Sequence, residues 1–240
     1  MNYEDEYIIL DEITPFYKKK FLGKGCSGEC YLTEDNQVFK ELYNNNQDFY
    51  SLKTFTHVKN DSVVFPNKIV YLKEKNDENI IGYLMDYVDG YLFKDIPLNE
   101  KIDYLINASI KAEKDILALS FEKAIIMEEI NTANVIYSSD NRFKIIDTDF
   151  YTYFPSEEET IIYRTNMHEW GNYMMSVLVT DYPFKYDEIN YLYEDFVLNG
   201  RVKPSLIISK IKEILETESN KKINTLDEYQ NNLKLIKKMK

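Results

Sequence analysis

The sequence predicts an α+β protein in which strands come first and helices follow. Residues 20–40 read as strand, glycine-rich turn, strand, turn, strand, and residues 68–85 hold two further apolar runs around a charged turn. From residue 101 onward, apolar side chains recur at helical spacing. The length of 240 residues suits one large domain or two small lobes sharing a cleft. Asp86-Tyr87-Val88-Asp89-Gly90 reads as the connector, so the expected lobes are residues 1–86 and 87–240. No internal repeat stands out.

Taken in order, residues 1–18 alternate weakly and read as a lead-in strand or arm. Phe21 to Leu32 holds Gly23-Lys24-Gly25-Cys26-Ser27-Gly28, followed by a turn at Glu34-Asp35-Asn36 and a strand Gln37-Val38-Phe39-Lys40. A Rossmann phosphate loop would run from its glycines into a helix, and no helical periodicity follows Gly28. A glycine-rich hairpin instead lets backbone N–H groups lie over phosphates, with Lys40 on the next strand within reach. A hairpin that binds nothing also fits these glycines. A lysine on a buried strand requires a partner, and phosphate is one.

Residues 47–59 predict a short helix with Phe49, Leu52 and Phe55 on one side and Asp48 as N-cap. Strands are expected over Lys68–Leu72 and Ile80–Met85. Helices are expected over 101–120, around Met167–Leu178, and over 187–197, 204–216 and 225–239. Thr225 and Glu228 fit a capping box at the last of these. Trp170 and the methionines near it are core residues first.

The net charge of −12 argues against a nucleic-acid partner, since phosphate backbones are held by clusters of Lys and Arg. An acidic chain can still bind a nucleotide if one lysine and a metal supply positive charge. Met1 to Asp11 is acidic and polar, unlike a secretory signal, and no apolar run approaches the roughly 20 residues of a membrane span. A cytoplasmic protein without membrane insertion is the expectation. Cys26 and Cys30 lie too close together within the glycine-rich turn for a structural disulfide, and reduced thiols are expected. His57 and His168 are the two histidines, and neither has neighbours that suggest metal binding or catalysis.

The most informative stretch is Phe121–Phe150. Asn134 opens a short strand, Ser-Ser-Asp-Asn makes a turn, and Phe143, Ile145 and Ile146 deliver Asp147. Such a hairpin would bring Asn134 and Asp147 to one end. An amide oxygen and a carboxylate converging there make the hard-oxygen site that Mg²⁺ uses when it also holds phosphate.

With these pieces in order, the chain resembles the protein-kinase-like family from about Lys20 to its end. The glycine-rich loop is Gly23 to Gly28, the strand lysine is matched by Lys40, and Met85-Asp86-Tyr87-Val88 looks like the gatekeeper and adenine hinge. Met127-Glu128-Glu129 with Asn134 matches the spacing of the catalytic loop, and Asp147-Thr148-Asp149 matches the metal aspartate and its successors. Asn166 to Gly171 looks like the family's Asp-x-Trp-Ser-x-Gly helix start with Asn in place of Asp. The resemblance implies a bilobal kinase-like fold, with an antiparallel sheet and one helix in the first lobe and a mostly helical second lobe. It also implies ATP and Mg²⁺ as cofactors and transfer of the γ-phosphoryl group to a hydroxyl, on protein. Gly23, Lys24, Gly25, Cys26, Ser27, Gly28, Lys40, Met85, Asp86 and Val88 would bind the nucleotide. Asn134 and Asp147 would hold the metal, and Glu129, Lys40 and Asp147 would be catalytic.

The chain departs from the family pattern at several points. Glu129 stands where the family has its catalytic Asp, and one extra methylene displaces a carboxylate by roughly 1 to 1.5 Å. Glu128 and Glu129 also fit a solvated loop pair, and Glu128 and Asp149 are alternative bases. Asn131 replaces a lysine of Ser/Thr kinases. No helix glutamate is placed to pair with Lys40, so a loosely held lysine is expected. The interval from Asp147 to Asn166 is short and lacks Ala-Pro-Glu, which puts the usual peptide platform in question. A pseudokinase scaffold and a small-molecule kinase are the alternative functions.

Overall fold

The computed structural model describes residues 6–43, 48–179 and 183–237. The first five residues of the lead-in, Asn44 to Gln47 ahead of the first helix, and the last residues of the predicted 225–239 helix lie outside them. The fold is α+β, with a six-stranded mixed sheet and, among the described residues, six α-helices.

The sheet is built from β1 (Tyr7–Leu10), β2 (Lys20–Lys24), β3 (Gly28–Leu32), β4 (Gln37–Leu42), β5 (Pro66–Leu72) and β6 (Ile80–Asp86), in the order β1-β5-β6-β4-β3-β2. The purely antiparallel sheet expected from sequence is corrected at one edge, where β1 runs parallel to β5, Tyr7 opposite Ile69 and Leu10 opposite Leu72. One edge of β5 is taken by β6, and the chain before β2 lies along the other, with the Ile69 amide donating to the Glu6 carbonyl at 2.9 Å. Covering this edge removes a row of unpaired backbone groups.

Strict alternation along β4 divides the sheet into two faces. Phe39 joins Val70 and Leu84 on one side. Val38 joins Ile69, Tyr71, Tyr83 and Met85 on the other, where α1 (Phe49–Phe55) contributes Leu52. Asp48 caps α1 as expected, its carboxylate accepting from the amides of Tyr50 and Ser51. The helix is shorter than the predicted segment.

Beyond the connector come β7 (Gly90–Leu92), α2 (Ile102–Glu122), β8 (Ile125–Ile126), β9 (Val135–Ser138), β10 (Arg142–Ile145), β11 (Thr152–Tyr153), α3 (Glu159–Leu178), α4 (Asp187–Asn199), α5 (Pro204–Ser219) and α6 (Leu226–Asn232). Their apolar faces meet in the largest core cluster, which includes Leu105, Ile116, Phe143, Trp170, Ile208 and Tyr229. The capping box at Thr225 and Glu228 is formed in both directions. Helix α3 begins at Glu159, so Asn166 and His168 lie within it and not at its start. The three glutamates Glu157 to Glu159 lead into its first turn, where negative charge is favoured by the helix dipole.

A buried polar network ties three helices together. Glu113 of α2 accepts from the Ser205 amide at 2.8 Å and the Ser205 hydroxyl at 2.7 Å, at the start of α5. The Ser109 hydroxyl donates to Glu113 and accepts from the Trp170 indole of α3 at 3.2 Å.

Candidate functional site

Register places the lysine. In the sheet, Lys40 stands opposite Cys30 of β3 and opposite Tyr83 of β6, so these three residues line one row on the face that looks toward α1. Lys40 is buried, its side chain 3 % exposed. A lone ammonium there would be very costly, so it requires anionic partners.

Those partners come from the hairpin. β9 and β10 pair with Val135 opposite Ile145, and the Ile146 amide donates to the Asn134 carbonyl at 2.8 Å, so Asn134 and Asp147 do emerge at the same end. The hairpin is stitched to the segment just before β5. The Ile145 amide donates to the Ser62 carbonyl at 2.6 Å, and the Ile145 carbonyl accepts from the Val64 amide at 2.9 Å. Arg142 reinforces the junction with ion pairs to Asp61 at 3.2 Å and Asp115 at 3.1 Å.

The Lys40 ammonium accordingly lies 2.5 Å from Asp147 Oδ1 and also donates to Asp149. The expectation of a loosely held lysine is corrected. The helix indeed offers no carboxylate, because Asp48 caps α1 and Glu41 pairs with Lys18 at 2.6 Å, but the segment after β10 supplies two. Burial pulls the Lys40 pKa down, and the Asp149 and Asp147 carboxylates outweigh it, leaving the ammonium above the ordinary lysine range. Asp147 is raised by burial and by the neighbouring Asp149 charge, against the pull of Lys40. Two carboxylates and one ammonium leave this cluster with a net charge of about −1.

The two aspartates differ in access. Asp147 is 27 % exposed at its side chain, and its backbone sits in the left-handed region at φ 68°, uncommon for a residue with a Cβ. Asp149 has a side chain 0 % exposed, with the Tyr83 hydroxyl donating to Oδ1 and the Ser27 hydroxyl to Oδ2, each at 2.5 Å. With no exposed side-chain surface, Asp149 does not face solvent as a base toward an incoming hydroxyl would.

Glu129 also has a left-handed backbone, at φ 58°. Its carbonyl accepts from the side-chain amides of Asn131 and Asn134, each at 3.1 Å, which folds the loop back on itself. Asn134 Oδ1 makes no hydrogen bond among the described residues. The carboxylates of Glu128 and Glu129 are exposed, and burial, then Glu169, then Glu129 push Glu128 above the usual range. The loop is anchored from α3, where buried Asn166 accepts from the Met127 amide at 2.7 Å and donates to the Ile125 carbonyl at 2.7 Å and the Ser120 hydroxyl at 2.9 Å.

The glycine-rich segment is a hairpin turn between β2 and β3, closed by the Gly25 amide on the Gly28 carbonyl at 2.9 Å. A Cβ at Gly28 would lie 2.1 Å from the Glu41 carbonyl oxygen, so the sheet itself requires that glycine. A Cβ at Gly23 or Gly25 would meet nothing within 4 Å. Lys24 and Cys26 are exposed at the turn. Met85 is buried in the face shared with α1, whereas Asp86 is exposed and accepts from Asn67 at 3.0 Å. Asp86 and Val88 line a cavity of about 910 Å³ together with residues 63–67 and 138–140, and that cavity does not include Lys40, Asn134 or Asp147.

The structure thus joins Lys40 to Asp147 and Asp149 with Ser27 on Asp149, brings out Asn134 at the same end of the hairpin as Asp147, and leaves the connector residues lining a cavity that includes none of them. Tyr83 and the positioning of Asp149 were not foreseen. The signal for Asp149 was the Asp-x-Asp spacing, and none in the sequence singles out Tyr83. For Mg²⁺, Asp147 and Asn134 Oδ1 are suitable oxygen donors, and no cluster of three or more His, Cys, Asp or Glu with ligating geometry occurs among the described residues. Two protein ligands suit an ion that keeps water and phosphate as its other partners. No helix among the described residues is long and apolar enough to cross a membrane. No protein-family model matches this chain, and no curated protein matches it significantly.

Proposed function

We propose that this chain is an ATP-dependent phosphotransferase of protein-kinase type, built from a first lobe of residues 1–86 and a second of residues 87–240. The observation that carries this reading is the contact of Lys40 with Asp147, which joins an ammonium from the sheet to a carboxylate at the hairpin end from which Asn134 also emerges. Lys40 would hold the α- and β-phosphates, and the Gly23–Gly28 turn would cover them. The open surroundings of Gly23 and Gly25 suit that task, since neither is required by packing among the described residues.

Asp147 and Asn134 would hold Mg²⁺, which when bound bridges phosphate oxygens and neutralises charge developing on them. A cluster already carrying about −1 repels a free triphosphate, so nucleotide binding should depend on the divalent ion. Glu129 would orient or deprotonate the acceptor hydroxyl. Glu128 is the nearby alternative, because its raised pKa suits a base. The acceptor is a protein hydroxyl in this reading; Asp86 and Val88, expected to read the nucleotide base, line a cavity that excludes Lys40, so no base contact is assigned to them.

A nucleotide-binding scaffold without turnover is the second reading. It is favoured by the Glu129 carboxylate, which is exposed and makes no hydrogen bond among the described residues. Incubation with γ-labelled ATP and Mg²⁺ separates the two. Label transfer to the chain or to an added protein that is lost in Glu129→Gln supports the enzyme. Transfer that survives in Glu129→Gln and disappears in Glu128→Gln moves the base by one residue, and nucleotide binding with no transfer supports the scaffold.

A further inference from the structure

We propose that Asp149 is a positioning residue that fixes Lys40 and the glycine-rich turn, taking over from the segment after β10 the anchoring that no carboxylate of α1 provides. This role in nucleotide binding rests on the phosphotransferase reading, but the anchoring itself does not.

The geometry is convergent. Three donors from three separate pieces of the sheet end on one carboxylate, which comes from the other half of the chain. Tyr83 of β6 donates to Oδ1, Ser27 of the glycine-rich turn donates to Oδ2, and Lys40 of β4 approaches the same oxygen. Tyr83 is fully buried, Lys40 nearly so, and Asp149 has no exposed side-chain surface, so the Tyr83 and Lys40 bonds do not compete with water. Lys40 and Tyr83 are cross-strand partners, so Asp149 meets a row already set by register. Charge-assisted bonds from a tyrosine, a serine and the lysine occupy both oxygens of Asp149. Asp147, partly exposed and bonded to Lys40 through Oδ1, is the carboxylate left to face a ligand. The two aspartates therefore divide the work, one anchoring and one open.

Besides Asp147, three described carboxylates of the first half of the chain are engaged elsewhere. Asp48 caps α1, Glu41 pairs with Lys18, and Glu29 accepts from Tyr31 and Tyr43. The helix is instead tied to the segment that carries Asp149, because the Tyr153 amide donates to the Ser51 hydroxyl at 2.9 Å. The placement of α1 thus follows that of the Asp149 segment.

The test reads Lys40 directly in the full chain without nucleotide. Acylation of Lys40 by a water-soluble N-hydroxysuccinimide ester is followed by peptide mass mapping and normalised to the exposed Lys24. Asp149→Asn should raise Lys40 labelling about tenfold or more, the scale of one charge-assisted hydrogen bond. Tyr83→Phe should raise it less, and Ser27→Ala should leave it unchanged while speeding amide exchange at Gly25. If Asp149→Asn does not fold, Tyr83→Phe and Ser27→Ala decide. No increase in Tyr83→Phe together with no faster exchange in Ser27→Ala overturns the proposal. Unchanged labelling in a folded Asp149→Asn chain, with an increase in Asp147→Asn, assigns the anchor to Asp147 and also overturns it. In a second arm, Asp149→Asn should weaken Mg²⁺-ATP binding about tenfold, and undiminished affinity alongside released Lys40 overturns the positioning role. Wild-type chain that binds no nucleotide overturns the phosphotransferase reading, while the labelling arm still decides whether Asp149 anchors Lys40.

Discussion

The Lys40 ammonium and the Asp147 carboxylate meet at 2.5 Å although 107 positions separate them in the chain. Together with Asp149 they form a buried junction between sheet and hairpin, so the candidate site is also part of what holds the two halves in place. Functional and structural effects of substitutions here are accordingly linked, so nucleotide affinity and folding stability have to be measured on the same variants.

Lys40→Met should destabilise the chain by about 3–5 kcal/mol at pH 7, because it leaves Asp149 buried without its cation. The deficit should shrink as pH falls, because Asp147, whose carboxyl pKa is already raised by burial and the Asp149 charge, takes up a proton. In the unsubstituted chain, the raised Lys40 pKa contributes stability that is fully present below the unfolded lysine value of 10.5 and is lost as pH rises through the folded value. Urea unfolding across pH measures both limbs. A deficit that grows toward acid pH would contradict this account.

Asn166→Ala removes three buried hydrogen bonds and should cost about 2–4 kcal/mol, with faster amide exchange concentrated at Met127. Asn166→Asp should also destabilise. Its carboxylate could still accept from Met127 but would face the Ile125 carbonyl without a proton to donate. Stability of Asn166→Asp equal to wild type would show that the Ile125 bond carries no weight.

Glu113 gives a pH signature. Burial pushes its carboxyl above the ordinary range, against the pull of the Ser205 donors. The folded chain then holds this proton more tightly than the unfolded chain, so stability from this group falls as pH rises from the unfolded carboxylate value through the folded one. Glu113→Gln keeps the shape without the charge, and the stability difference between the two chains should change in that window. Glu113→Ala should cost about 2–3 kcal/mol because it leaves the Ser205 amide unpaired.

The two thiols should behave differently. Cys26 is exposed, while burial raises the Cys30 pKa to about 11, against the pull of Lys40. Iodoacetamide at pH 8 should alkylate Cys26 and spare Cys30, as read by peptide mass mapping. Equal modification of both in folded chain would be inconsistent with the packing of Cys30 beside Lys40.

Local signals were the most legible in the sequence. The Asp48 cap, the Thr225–Glu228 capping box, the Asn134–Asp147 hairpin and the strands around Lys40 all depend on residues close together in the chain, and each forms. Pairings over long separations were not readable. β1 joins β5 across some sixty intervening positions, and nothing in Tyr7–Leu10 specifies a parallel partner. The start of α3 was misplaced because Asn166–Gly171 carries the motif-like residues, while the preceding turn is rich in β-branched and aromatic residues of modest helix propensity. The anchor of Lys40 was missed for a related reason. A lysine on a strand announces its need for an anion but not which distant carboxylate meets it.

The central claim is a Mg²⁺-ATP site formed by Lys40, Asn134 and Asp147, and calorimetric titration tests it most directly. ATP should bind wild-type chain in the presence of Mg²⁺, bind much more weakly with EDTA, and lose at least about tenfold in affinity in Asp147→Ala that remains folded by circular dichroism. Binding of equal strength in Asp147→Ala, or no binding to wild-type chain at millimolar Mg²⁺-ATP, would contradict it.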